Sequence, residues 1–117
     1  MSRADRLERL DNQRIMLEAD YRAALVAALG ATAAGQWGLF GHNVDKHAQA
    51  SAAPVVAELT EIGEMVDAIR DQLGLEPFAL HREFLDSRGP VKSSAVGEPK
   101  QARAWLAKLE AESIPKP

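Results

Sequence analysis

The chain has 117 residues, 46% of them hydrophobic and 26% charged, with a formal net charge of -3. That is enough for one globular domain with its own core and too ordinary for a disordered class. The absence of cysteine excludes disulfides, thiolate metal sites and cysteine nucleophiles, and the lack of a basic stripe argues against a phosphate-binding nucleic-acid protein.

Apolar spacing predicts an all-α domain over residues 1–117: a long antiparallel helical hairpin with two short packing helices, four-helix-bundle-like as a dimer. The first helix is expected over 3–29, opened by Ser2 and Asp5 and stopped by Gly30. At 100° per residue Leu7, Leu10, Leu17, Tyr21, Ala24, Leu25 and Ala28 share one face, which reads as core. Arg14 interrupts that face, where Asp11, Glu18 or an acid from a facing helix could pair with it. Ile15, Ala19 and Val26 make a second, weaker stripe, more than one hairpin partner needs to cover, and this points to a homodimer.

The run from Ala23 to Ala34 is too short to span a bilayer, and acids are scattered through the segment before it. Neither a membrane span nor a secretory leader is expected, so the expected location is cytoplasmic.

A loop is expected over 30–50. Within it, Gly35-Gln36-Trp37-Gly38-Leu39-Phe40-Gly41-His42-Asn43 is the least generic stretch, because glycines bracket large apolar groups. Two readings compete: Trp37, Leu39 and Phe40 plug the end of the hairpin as core, or Trp37, Leu39, Phe40, His42 and Asn43 form a partner- or ligand-binding patch. His42, Asp45 and His47 also place two imidazoles and a carboxylate within six residues. Their spacing lacks the tight repeats of short metal sites, so a polar loop is the simpler expectation, and no cofactor is assigned.

The second helix is expected over 52–73, from a start near Ser51 and Pro54 to Gly74. Val55, Leu59, Ile62, Val66, Ile69 and Leu73 alternate in steps of four and three, the seam of a short coiled coil. Glu58, Glu61, Glu64, Asp67 and Asp71 spread over the opposite side, as on a solvated face, and suggest no catalytic pair. Gly63 in mid-helix costs up to about 1 kcal/mol relative to alanine, which a closely approaching group would explain.

The third helix is expected over 77–87, with Phe78, His81, Phe84 and Leu85 inward, and the fourth over 99–112, with Ala102, Trp105, Leu106 and Leu109 inward. A lone histidine on an apolar face is read as a hydrogen-bonded core group before a general base. Lys100 and Arg103 near the start of the fourth helix could attract an anion, against the simpler reading of a solvated helix start. A helix-turn-helix reading of the second and third helices fails on charge, since Arg82 and Arg88 face Glu83 and Asp86.

Three segments together carry a resemblance: Trp37-Gly38-Leu39-Phe40-Gly41, Glu76-Pro77-Phe78 to Arg88-Gly89, and Gly97-Glu98-Pro99-Lys100 to Trp105-Leu106. Over residues 20 to 110 the chain resembles a family of small all-helical bacterial proteins to which no activity is attached, so the resemblance carries over no site residue. No phosphate loop or nucleophile elbow is present. The expected function is a non-enzymatic interaction or scaffold module, with a protein partner and without nucleic acid or membrane. The alternative is a small-molecule- or metal-binding protein using the 35–47 loop.

Overall fold

The computed structural model describes residues 2–35, 39–40, 46–87 and 98–113. Its helices are α1 (Arg3–Ala33), α2 (Lys46–Gln72), α3 (Ala79–Ser87) and α4 (Glu98–Ser113), with no strand among the described residues. The all-α expectation therefore holds, with α1 packed against both α2 and α4 and α3 set on α2.

Helix α1 opens with a reciprocal cap: Asp5 N–H donates to Ser2 Oγ, and Ser2 N–H donates back to Asp5. It does not stop at Gly30. That residue has open space around it, and in the next turn the Thr32 hydroxyl donates to the Ala28 carbonyl at 2.9 Å. The left-handed residue past the end is Gly35, at φ +80°.

Helix α2 also begins earlier than expected, at Lys46, which puts Pro54 inside it. Proline there removes one ladder bond, and the flanking turns carry the helix through regardless. The third helix is shorter than expected: Pro77 precedes it, and its first free amide, Phe78 N–H, donates to Asp67 Oδ1 on α2 at 2.8 Å. Helix α4 matches its expected span within a residue at each end.

The core forms where these helices meet. Tyr21, Leu25, Ala28 and Leu29 from α1, Leu59 and Val66 from α2, Phe84 from α3, and Ala102 and Leu109 from α4 are buried together. The α2 seam behaves as its spacing implied, with Leu59, Val66 and Ile69 buried and Val55, Ile62 and Leu73 half-buried. Leu85 is a correction, lying exposed: α3 buries His81 and Phe84, with Leu80 half-buried beside them and Phe78 buried just ahead of the helix.

Polar links set the directions of the helices. Arg70 on α2 grips Glu18 on α1 with two parallel bonds, Nε to Oε2 at 3.0 Å and Nη2 to Oε1 at 3.1 Å. Its third nitrogen donates to the Glu76 carbonyl in the turn beyond α2, and its plane lies over the Phe78 ring. Burial opposes the charge on Glu18, but hydrogen bonds from Arg70 and Arg14 outweigh it and hold the carboxyl below its ordinary range. Helix α4 is tied antiparallel to α1: Arg22 donates to the Leu109 carbonyl at 2.6 Å, and Arg103 reaches the Ala33 carbonyl at the far end of α1. That bond makes Arg103 a partner to the carbonyl end of a helix.

Candidate functional site

Of the loop residues singled out by sequence, the structure describes two. Leu39 and Phe40 are fully buried, and the Phe40 ring lies 6.4 Å from that of Phe84. As core side chains they offer no surface for a partner to rest on, and their burial fits the plug reading for these two positions. Trp37, His42, Asn43 and Asp45 lie outside the described residues, and His47 falls in the first turn of α2, its side chain likewise not described. Among the described residues no group of three His, Asp or Glu stands close enough to hold a metal ion.

His81 occupies a built environment. Its Nδ1 stands 2.7 Å from the Tyr21 hydroxyl, and its ring lies on α2 over Gly63, so closely that a Cβ there would overlap the imidazole. Tyr21 in turn meets Phe78 edge-on at 5.1 Å. With the imidazole neutral and protonated on Nε2, the Tyr21 hydroxyl donates to Nδ1. Burial lowers the His81 pKa from its ordinary value against the opposing pull of Asp67 and Glu64, with Arg82 adding to the lowering. Burial, helped by the nearby Asp67, pushes the Tyr21 phenol far up. Burial favours the neutral form of both groups, and their hydrogen bond is a polar staple joining α1 to α3.

The sign of the pH effect follows. A histidine whose folded pKa lies below its unfolded value contributes stability that is full above the unfolded value and is lost as pH falls toward the folded one. The urea midpoint should therefore drop between pH 7.5 and 5.5, and His81→Gln should flatten that dependence. A wild-type midpoint that stayed level across this interval would contradict the arrangement.

Among the described residues, an apolar face left uncovered lies at the other end of α1. Every buried residue of that helix falls at or after Tyr21. The grip of Arg70 on Glu18 fixes where α2 ends beside α1, since α2 stops at Gln72. Residues 3–16 thus run on as an arm, roughly 20 Å long at 1.5 Å per residue, while Leu17 still packs against the core. Among the described residues, the arm's hydrogen bonds and ion pairs all stay within α1; Arg14, for instance, bonds Asp11 at 2.8 Å and Glu18 at 2.9 Å.

The apolar stripe expected in the core is therefore covered only along its inner half. Leu7 is 38% exposed, Leu10 and Leu17 are half-buried, and Ile15 and Met16 on the flank are 52% and 67% exposed. Sequence periodicity located this face but assigned it to a core that ends before it. The available signal was Arg14, a charge set in the middle of the stripe.

Two shallow grooves adjoin the base of the arm. One, of about 310 Å³, lies between α1 and α4 and is lined by Arg22, Val26, Leu106 and Leu109. The other, of about 270 Å³, is lined by Ala19, Phe78 and Leu80, with Glu18 and Glu112 at its edges. Ala19 and Val26 of the second stripe line these grooves, so α4 takes part of the face that seemed surplus in the sequence. No helix among the described residues is long and apolar enough to cross a membrane. No family model, curated protein or solved structure matches the chain.

Proposed function

We propose that this chain is a non-enzymatic, cytoplasmic protein-interaction module that works through the arm of α1. The observation that supports this reading is the continuation of an apolar helix face, through Leu10 and Leu7, past the end of α2, the element that covers its inner half among the described residues. Helix-in-groove recognition uses anchors at this spacing. Of the acids of α2, Asp67 is spent on the Phe78 N–H, and Glu58, Glu61, Glu64 and Asp71 are exposed.

The test separates binding from folding. Changing Leu7 and Leu10 together to serine should leave thermal stability within about 1 kcal/mol of wild type, as substitutions at exposed sites do. The same change should abolish association in light scattering coupled to size exclusion, with the candidate partner present. A variant that associated as wild type does would remove the arm from consideration.

A further inference from the structure

We propose that the gap between α3 and α4 is a second binding site, which takes the guanidinium of an arginine side chain presented by a partner protein. This site is independent of the arm. Among the described residues the backbones of α3 and α4 stand apart, and side chains bridge them. Lys108 Nζ donates to Glu83 Oε2 at 2.7 Å, and farther along Gln101 Nε2 reaches the Ser87 carbonyl at 3.5 Å. Asp86, Ala104 and Trp105 fall between these bridges and, with Glu83 and Lys108, line a groove of about 410 Å³ that is open to solvent. The Trp105 ring is a fixed wall of it, since it packs against the core.

The chain itself shows what this groove holds. The Lys108 ammonium lies over the Trp105 ring, 5.4 Å from its centroid, while bonded to Glu83, so the resident group is a cation between an indole and a carboxylate. Its hold is loose, because the Lys108 and Glu83 side chains are 49% and 48% exposed and such pairs contribute little. The groove also has acceptors to spare. Asp86 makes no hydrogen bond or ion pair among the described residues, and Gln101 Oε1, on the amide that spans the same gap, is buried without a partner. An aromatic wall facing surplus acceptors selects a flat cation with many donors. A guanidinium bonds a carboxylate through two parallel N–H groups and stacks on an indole, whereas the Lys108 ammonium is a single point charge on a stem free to turn to solvent. The groove is too open to enclose a free small molecule, which a built pocket does. A side chain carried on a peptide, with its stem along Ala104 and its backbone outside, suits that shape.

The probes are acetylated, amidated pentapeptides with four glycines around a central arginine, lysine or citrulline. Each is titrated into the full chain while the indole N–H signal of Trp105, identified by its loss in Trp105→Phe, is followed by NMR. The arginine peptide should shift that signal saturably, the lysine peptide should bind more weakly, and the neutral citrulline peptide should not bind. Lys108→Met, which removes the resident cation, should tighten arginine binding about two- to fivefold, the range for one exposed cation–π contact, and Asp86→Asn should weaken it by a similar factor. Both positions are exposed, so neither change threatens the fold. Equal binding of the citrulline peptide, weaker binding by Lys108→Met, or an affinity that neither variant moves would overturn the site. Free arginine amide that bound more tightly than the peptide would overturn the partner protein as the source of the guanidinium.

Discussion

Gly63→Ala should lower the stability of the protein by about 2–4 kcal/mol, combining overpacking with a broken buried hydrogen bond. The sign is the informative part. In an ordinary helix interior the same change is favourable by up to about 1 kcal/mol. Here a methyl group at position 63 would overlap Cγ, Cδ2 and Nε2 of His81. The imidazole cannot swing away without giving up the Tyr21 hydroxyl, which is 2.7 Å from Nδ1 and fully buried. Its displacement would also disturb Phe78 through the Tyr21 ring. For a domain of this size the melting temperature should fall by on the order of 10 °C. A double-mutant cycle identifies the cause, because Gly63→Ala introduced beside His81→Ala should be harmless or stabilising. If Gly63→Ala alone raised the melting temperature, the close approach would be refuted.

Phe40→Ala should cost about 3–5 kcal/mol, the range for emptying an aromatic site in a core. Phe40 is fully buried against Phe84 and belongs to the same cluster as Leu59 and Leu109. Since domains of this kind are stable by about 5–15 kcal/mol, the variant should be close to unfolding at physiological temperature. Leu85→Ala, at a residue 45% exposed, is the matched control and should change stability by less than about 1 kcal/mol. Urea unfolding followed by circular dichroism reads both. Near-native stability for Phe40→Ala would take the residue out of the core and reopen the binding reading of its loop.

These two positions also show where sequence reasoning reached and where it stopped. The α2 seam was legible because alternating steps of three and four place a face without any knowledge of its partner, and Leu59, Val66 and Ile69 are buried accordingly. The same logic misplaced Leu7 and Leu10, since periodicity defines a stripe but not how far the covering helix extends. Gly63 and His81 were each conspicuous alone. Nothing in a linear pattern ties a glycine on one helix to a ring on the next, and only packing joined them. Helix limits failed at Gly30 and Pro54, where local preference, worth about 1–3 kcal/mol, was overridden by the turns on either side. Of the residues proposed for the 35–47 loop, Leu39 and Phe40 had two open readings, and their burial is what the plug reading expects.

The Arg70 corner has a consequence for which sequences can replace this one. Its guanidinium spends Nε and Nη2 on Glu18 and Nη1 on the Glu76 carbonyl, while its Cζ stands over the Phe78 ring, 5.6 Å from the centroid. A lysine would preserve the charge but bring one nitrogen to a task shared among three, on a stem with no plane to stack. Conservation of charge is thus the wrong currency at this position. A natural variant of the fold could exchange the surface acids of α2 freely, yet at residue 70 it would have to keep the fork itself or rebuild the base of the arm, the end of α2 and the entry to α3 together.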